Sequence, residues 1–151
     1  MSELSHVDES SGAVQMVDVG HKPPLRRVAV ARGAVLMAPE TSRRLRALPK
    51  GDALTTAQLA GIMGGKATST LIPLCHPLPL SSVDVELTVG EGRVDITATA
   101  KVTGQTGVEM EALTAVAVAG LTVYDMAKAI DKNMTITEIA LVEKTKEEAG
   151  T

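Results

Sequence analysis

Residues 83–102 read as two alternating runs on either side of "GEG". In the first, Val83, Val85, Leu87 and Val89 alternate with Asp84, Glu86 and Thr88; in the second, Val94, Ile96, Ala98, Ala100 and Val102 alternate with Asp95, Thr97, Thr99 and Lys101. Successive side chains of a strand point to opposite faces, so a period of two sustained over this length means two strands, each apolar on one side. The short glycine-containing turn makes them an antiparallel hairpin with one wet face.

The flanking segments supply what such a hairpin needs. "RRVAVARGAVLMA" is alanine-rich and β-branched, and Gly33 breaks its alternation, which predicts a strand with a bulge at that point. "PETSRRLRALPKGD" opens on Pro39, with Glu40 early and Arg43, Arg44 and Arg46 late, the pattern of a short helix that closes at Pro49. Asp52 is placed to cap a second helix in "ALTTAQLAGIMGGKATST", whose far end is weakened by Gly64 and Gly65. A long helix is expected over roughly residues 107–131, and "NMTITEIALVEK" reads as the closing strand. Strand, helices, strand, strand, helix, strand is the order of a split β-α-β domain, so the expected class is α+β: a ferredoxin-like sandwich, an antiparallel sheet with helices on one face. Residues 1–25 show no sustained periodicity and carry Pro23 and Pro24, which suggests an N-terminal arm before a single domain over 26–151.

The long helix adds a constraint. "ALTAVAVAGLTVYDMAKAI" is apolar almost all round, where a surface helix has one apolar stripe. The expectation is that a second subunit packs against it.

Composition narrows the function classes. Tyr124 is the sole aromatic residue and the net charge is -3. Stacking platforms for single strands and the positive surplus for duplexes are both missing, so nucleic acid is not an expected partner. The N-terminus is polar and acidic, unlike a signal or transit peptide, and the uncharged run "ALTAVAVAGLTVY" is too short for a bilayer. A single cysteine fits a reducing compartment. Together these readings lead to an expectation of a soluble cytoplasmic protein with no membrane partner.

Glu109 and Glu111 open the long helix, and Asp125 and Lys128 stand near its end. Acids in a first turn favour the helix dipole and an Asp–Lys pair at i, i+3 is a common surface contact, so a structural role competes with a catalytic one for each pair. Their setting on an otherwise buried helix favours function, because an ionised group there is costly without a partner. Glu111 and Asp125 are fourteen residues apart, about 21 Å along a helix, too far for one small ligand to reach both. Either one end works, or sites form between subunits. "LIPLCHPLPL" holds the remaining candidates, Cys75 and His76, among three prolines that no helix accommodates. Neighbours in an extended segment point apart, so a Cys–His nucleophilic dyad is poorly placed and the thiol reads as a small apolar side chain. His76 is balanced between a pocket role and a structural one. Three histidines and one cysteine do not supply the four spaced ligands of a zinc site, and no metal ligands are assigned. No P-loop is present, so any phosphate would be held by side chains such as Arg26, Arg27, Lys50, Lys66, Lys128 and Lys144, for which the competing reading is solvated surface charge.

"LIPLCHPLPL", "GVEMEALTAVAVAGLTVYDMAKAIDK" and the early "MVDVG" together resemble the MoaC family of molybdenum cofactor biosynthesis, over about residues 4–144. The resemblance implies a ferredoxin-like subunit in a homo-oligomer, a hexamer built as a trimer of dimers, with sites at subunit interfaces. It implies a lyase with cyclic pyranopterin monophosphate synthase activity, acting on a cyclised GTP derivative, (8S)-3',8-cyclo-7,8-dihydroguanosine 5'-triphosphate. The purine-derived ring is rearranged, a cyclic phosphate is closed and diphosphate leaves. Carried over by position, the resemblance makes Asp125, Lys128 and Lys50 catalytic, and Arg27, Cys75, His76, Glu109, Met110, Glu111 and Lys144 substrate-binding. The chemistry of that reaction suits Asp125 and Lys128 as a base and acid if burial and pairing bring them toward neutrality, and Glu109 and Glu111 as acceptors for the amide and amino edges of the ring. No cofactor is called for, and Mg2+ accompanying the triphosphate is compatible. The sequence departs from the family pattern at Gly64, Gly65 and Thr70 and in the tail "KTKEEAGT". The rival readings are a homologue that binds a nucleotide or pterin without turnover, and an enzyme using the Cys75 thiol.

Overall fold

In the computed structural model, which describes residues 4–149, the hairpin forms where the alternation places it. Strand β2 (Leu80–Gly90) runs antiparallel to β3 (Arg93–Gly104), and Gly90 pairs with Arg93 across a two-residue turn in which Gly92 takes φ 72°, a left-handed conformation that suits glycine. The inward residues Val94, Ile96, Ala98, Ala100 and Val102 are all buried. Strand β1 (Leu25–Leu36) pairs with the other edge of β3, and β4 (Thr135–Glu148) pairs with β1, giving an antiparallel sheet of order β2-β3-β1-β4.

Between β1 and β2 the chain forms α1 (Pro39–Ser42), α2 (Ala53–Lys66) and α3 (Thr68–Leu71); between β3 and β4 it forms α4 (Glu109–Ala127). Strands β1 and β2 are split by β3, and β3 and β4 by β1, so the expected ferredoxin-like α+β sandwich is observed, with its helices on one face. Asp52 caps α2 by accepting from the amides of Leu54 and Thr55, as anticipated. Residues 4–24 hold no helix or strand, only an isolated bridge between Val7 and Val14. The ends of the two expected segments, residues 1–3 and 150–151, lie outside the described residues.

Three local expectations are corrected. The helix from Pro39 stops at Ser42, and Arg43, Arg44 and Arg46 follow in turns. The bulge is in β4: β1 keeps continuous register with β3 through Gly33, whereas β4 places both Glu138 and Ile139 opposite Gly33, with Glu138 at φ 58°. Gly33 serves packing instead, because a Cβ there would come within 2.7 Å of Val116 Cγ1 on α4. Finally, α2 continues through Gly64 and Gly65, which are buried against α4 and β2.

That contact also answers the apolar helix. The sheet covers one side of α4 and α2 covers another, so Ala112, Ala115, Val116, Ala119 and Val123 are buried within one chain. Burial of α4 therefore needs no second subunit; the large apolar residues that α4 leaves exposed are Leu121, at 59%, and Met110, at 37%. The helix itself is 19 residues long and apolar enough to span a bilayer, longer than the uncharged run suggested, but 56% of its most apolar window is buried inside the domain, as befits a core helix.

Candidate active site

Two carboxylates in the first turn of α4 are favoured by its dipole, and two residues of helical advance send them to opposite sides. Glu109 turns to β4, where Lys144 Nζ lies 3.3 Å from its Oε1. Lys144 pairs across the ladder with the buried Ala29, which places it on the helix side of the sheet. Glu111 turns inward: it is 5% exposed, and its Oε2 has no hydrogen-bond partner.

Beside Glu111 a cavity of about 260 Å³ opens between the start of α4 and the proline-bound segment, lined by Cys75, His76, Met110, Glu109 and Glu111 together with Val17 and Val19 from the N-terminal residues. His76 Nε2 is 2.7 Å from the carbonyl oxygen of Val17. A carbonyl only accepts, so the ring donates from Nε2. On the other side of Glu109 a second cavity, about 180 Å³, collects Arg27, Lys144 and Lys146. The Arg27 guanidinium is aimed by the end of β3: Nε donates to Gly104 O at 3.1 Å and Nη2 to Gln105 O at 3.3 Å. A largely apolar slot beside a cation-lined one can accept a flat ring and an anionic group respectively.

Burial, followed by the Glu111 charge, pushes the Cys75 thiol above its ordinary value, so it stays protonated at neutral pH and is a poor nucleophile. Burial likewise pushes the Glu111 carboxyl up to about 7, its own amide opposing and the Glu109 charge adding.

The other end of α4 carries a second cluster. Asp125 receives Lys50 Nζ at 3.0 Å on each carboxylate oxygen and at 3.3 Å on its carbonyl, and Lys128 Nζ at 3.1 Å. The three side chains are about half exposed. Hydrogen bonds from Lys50 and then Lys128 hold the Asp125 carboxyl below the usual carboxylate range. The expectation that burial draws Asp125 toward neutrality is thus not met; solvent and two ammonium groups keep it an anion. Two cations on one carboxylate leave a net positive, exposed group suited to further anions.

A MoaC family model matches residues 16–147. The chain belongs to the MoaC family. Among curated relatives, it is 60% identical over 152 residues to the cyclic pyranopterin monophosphate synthase of Rhodospirillum rubrum, covering 98% of this chain and 91% of that one. It is 57% identical over 154 residues to the protein of that name in Heliobacterium modesticaldum, covering 99% and 96%, and 54% identical over 151 residues to that in Streptomyces griseus, covering 99% and 85%.

In this MoaC-family chain, Arg27, Cys75, His76, Glu109, Met110, Glu111 and Lys144 gather around the N-terminal end of α4, whereas Lys50, Asp125 and Lys128 gather at its C-terminal end. The helix holds the groups apart, by about 21 Å for Glu111 and Asp125. The residue-by-residue reading missed His6, Val17 and Val19, which reach the cleft from the N-terminal segment, and Gly107. "MVDVG" was a visible signal, since two of its residues face the cleft. Gly107 carried no sequence signal: only the folded chain shows that a Cβ there would meet the Glu109 carboxylate.

Proposed function

We propose that this chain is a cyclic pyranopterin monophosphate synthase: a lyase of molybdenum cofactor biosynthesis that converts (8S)-3',8-cyclo-7,8-dihydroguanosine 5'-triphosphate to cyclic pyranopterin monophosphate and diphosphate. The observation that carries this reading is near-full-length similarity, up to 60% identity among the relatives described above, to proteins bearing that name. The side chains support it, because the reaction needs a slot for a guanine-derived ring, cations for a triphosphate and groups that move protons.

In this reading residues 26–151 are the catalytic domain and 1–25 an arm whose Val17 and Val19 line the cleft. Arg27 and Lys144 hold the phosphates, His76, Cys75 and Met110 line the slot against the substrate, and Glu109 accepts from its N–H groups. Closing the cyclic phosphate joins a ribose-derived hydroxyl oxygen to the α-phosphorus, breaks the bond to diphosphate and releases the hydroxyl proton. Lysines and arginine stabilise the charge that grows on the leaving group. Asp125, Lys128 and Lys50 are the proton-transfer and electrostatic set, with Asp125 an anion that holds both ammonium groups in place. Because one chain separates the two ends of α4, the working site is composite: one copy supplies the cleft and another supplies Lys50, Asp125 and Lys128, within a cytoplasmic hexamer arranged as a trimer of dimers.

The test is to supply the cyclised GTP derivative and follow diphosphate release and pterin formation together. Stoichiometric appearance of both is expected. Binding of the compound with neither product would overturn the synthase reading in favour of a ligand-holding homologue.

A further inference from the structure

Glu111 stands apart from the other acids of the chain. Among the described residues its Oε2 is the one buried side-chain oxygen or nitrogen without a hydrogen-bond partner. The groups that face it are few. Its own helix brings Glu109, whose charge is taken by Lys144. The proline-bound segment brings Cys75, a protonated thiol, and His76, whose Nε2 is spent on Val17 O. The N-terminal segment brings His6, which is within hydrogen-bond reach of Gln15 O. Helix α2 arrives through Gly65, where a Cβ would sit 3.3 Å from Glu111 O, and brings no charge at that point. No lysine or arginine among the described residues pairs with Glu111.

We propose that Glu111 meets the ligand as a neutral carboxylic acid, donating its O–H into the cleft to an acceptor atom of the guanine-derived ring, a carbonyl oxygen or a ring nitrogen. The assignment of the ring rests on the synthase reading; the protonation state does not. It reverses the acceptor role expected from the sequence. An ionised carboxylate in this position would be buried with no cation and with an oxygen that no donor reaches, and both circumstances are costly. A protonated one removes the uncompensated charge, and the cavity that Glu111 lines is where an acceptor atom of a ligand would meet its O–H. The two acids of the first turn are thereby divided by their surroundings: Glu109, paired with Lys144, remains the acceptor, and Glu111 becomes the donor. Burial raises its affinity for the proton in the same sense.

The decisive experiment has two arms on the full-length protein and its isosteric variant Glu111→Gln, whose amide still donates. In the first, infrared difference spectra without ligand follow the carbonyl stretch of protonated carboxyl groups across pH 5–9. A band that disappears with a midpoint near 7 in the wild type and is missing from the variant is expected; carboxyl groups that all ionise below about pH 5 would overturn the proposal. In the second arm, calorimetry measures binding of GTP, the probe that shares the ring's guanine edge. Wild-type affinity should fall toward tenfold per pH unit above the midpoint, while the variant binds within about threefold of wild type at pH 6 and loses that dependence. Wild-type binding that tightens with rising pH through 7, or a variant weakened more than about thirtyfold at pH 6, would refute donation. If neither protein binds the nucleotide while the band titrates near 7, the protonation state stands and donation to the guanine edge is what fails, whereas the synthase reading is decided separately by turnover of the cyclised derivative.

Discussion

Replacing Gly64 with alanine sets two opposing effects against each other at a contact the structure defines closely. Alanine is preferred over glycine inside a helix by about 1 kcal/mol, so on propensity alone Gly64→Ala stabilises α2. The new methyl, however, would lie 2.7 Å from Val118 Cγ2 and 2.8 Å from Val118 Cβ. Rotating the Val118 side chain relieves the first clash but not the second, since Cβ is fixed by the backbone of α4. The two helices must therefore part by about 0.6 Å to restore ordinary contact, and overpacking of this kind costs about 1–3 kcal/mol. With a backbone-anchored clash the cost falls toward the upper end, and the net effect is a destabilisation of about 1–2 kcal/mol. Gly120→Ala is the internal control: its nearest neighbour is the Ile136 Cγ2 methyl at 3.3 Å, which needs to give way by only a few tenths of an ångström. That variant should be neutral or stabilised by up to about 1 kcal/mol. Urea unfolding at one fixed protein concentration reads both, since oligomer dissociation would otherwise shift the midpoint. A Gly64→Ala midpoint at or above wild type, or equal losses in the two variants, would refute the claim that glycine is required for the close approach of α2 and α4.

Asp131 is 8% exposed and accepts from Ala38 N at 2.9 Å, Thr41 Oγ1 at 2.8 Å and Asn133 N at 2.9 Å, tying the segment after α4 to the start of α1. Asp131→Ala strands those donors and should cost about 3–4 kcal/mol at pH 7. Hydrogen bonds from Ala38 and then Asn133 lower its carboxyl, with burial opposing, so its contribution is complete above the unfolded value near 3.9 and disappears as pH falls through the lower folded value; the gap between variant and wild-type unfolding midpoints should narrow below about pH 4, and a constant gap would contradict this account. Cys75→Ser should leave turnover within about threefold of wild type because the thiol is protonated, and a loss beyond about 100-fold would restore the thiol-enzyme reading. Co-expressing a Lys128→Ala chain with a His76→Ala chain should recover about a quarter of wild-type turnover if each site draws one end from each of two randomly mixed subunits, whereas activity no higher than either variant alone would exclude a composite site.

Much of the fold was legible because its signals are local. Alternation from Val83 to Val102 specifies strand faces through a period of two, and Asp52 announces the start of α2 through a cap two and three residues away. The charges at the two ends of α4, and their separation, followed from helical rise alone. What stayed hidden depended on elements distant in the chain. Gly33, Gly64 and Gly65 each looked like a local irregularity, yet Val116, Val118 and Val83 explain them, and no neighbour in sequence could reveal those contacts.

The chain's pattern by itself determined the split β-α-β order, the helix that carries acids at one end and an Asp–Lys pair at the other, and the stretch where prolines forbid a helix. Only the tertiary structure decided that α2 covers the apolar flank of α4, that Val17 and Val19 reach the His76 cleft, and that Glu109 has a cation while Glu111 has none. The physical reason is that periodicity and capping act over a few residues, whereas desolvation and charge pairing depend on whichever segments the folded chain brings within a few ångströms. Two glutamates separated by one methionine are equivalent in the sequence, and their opposite surroundings make them chemically different.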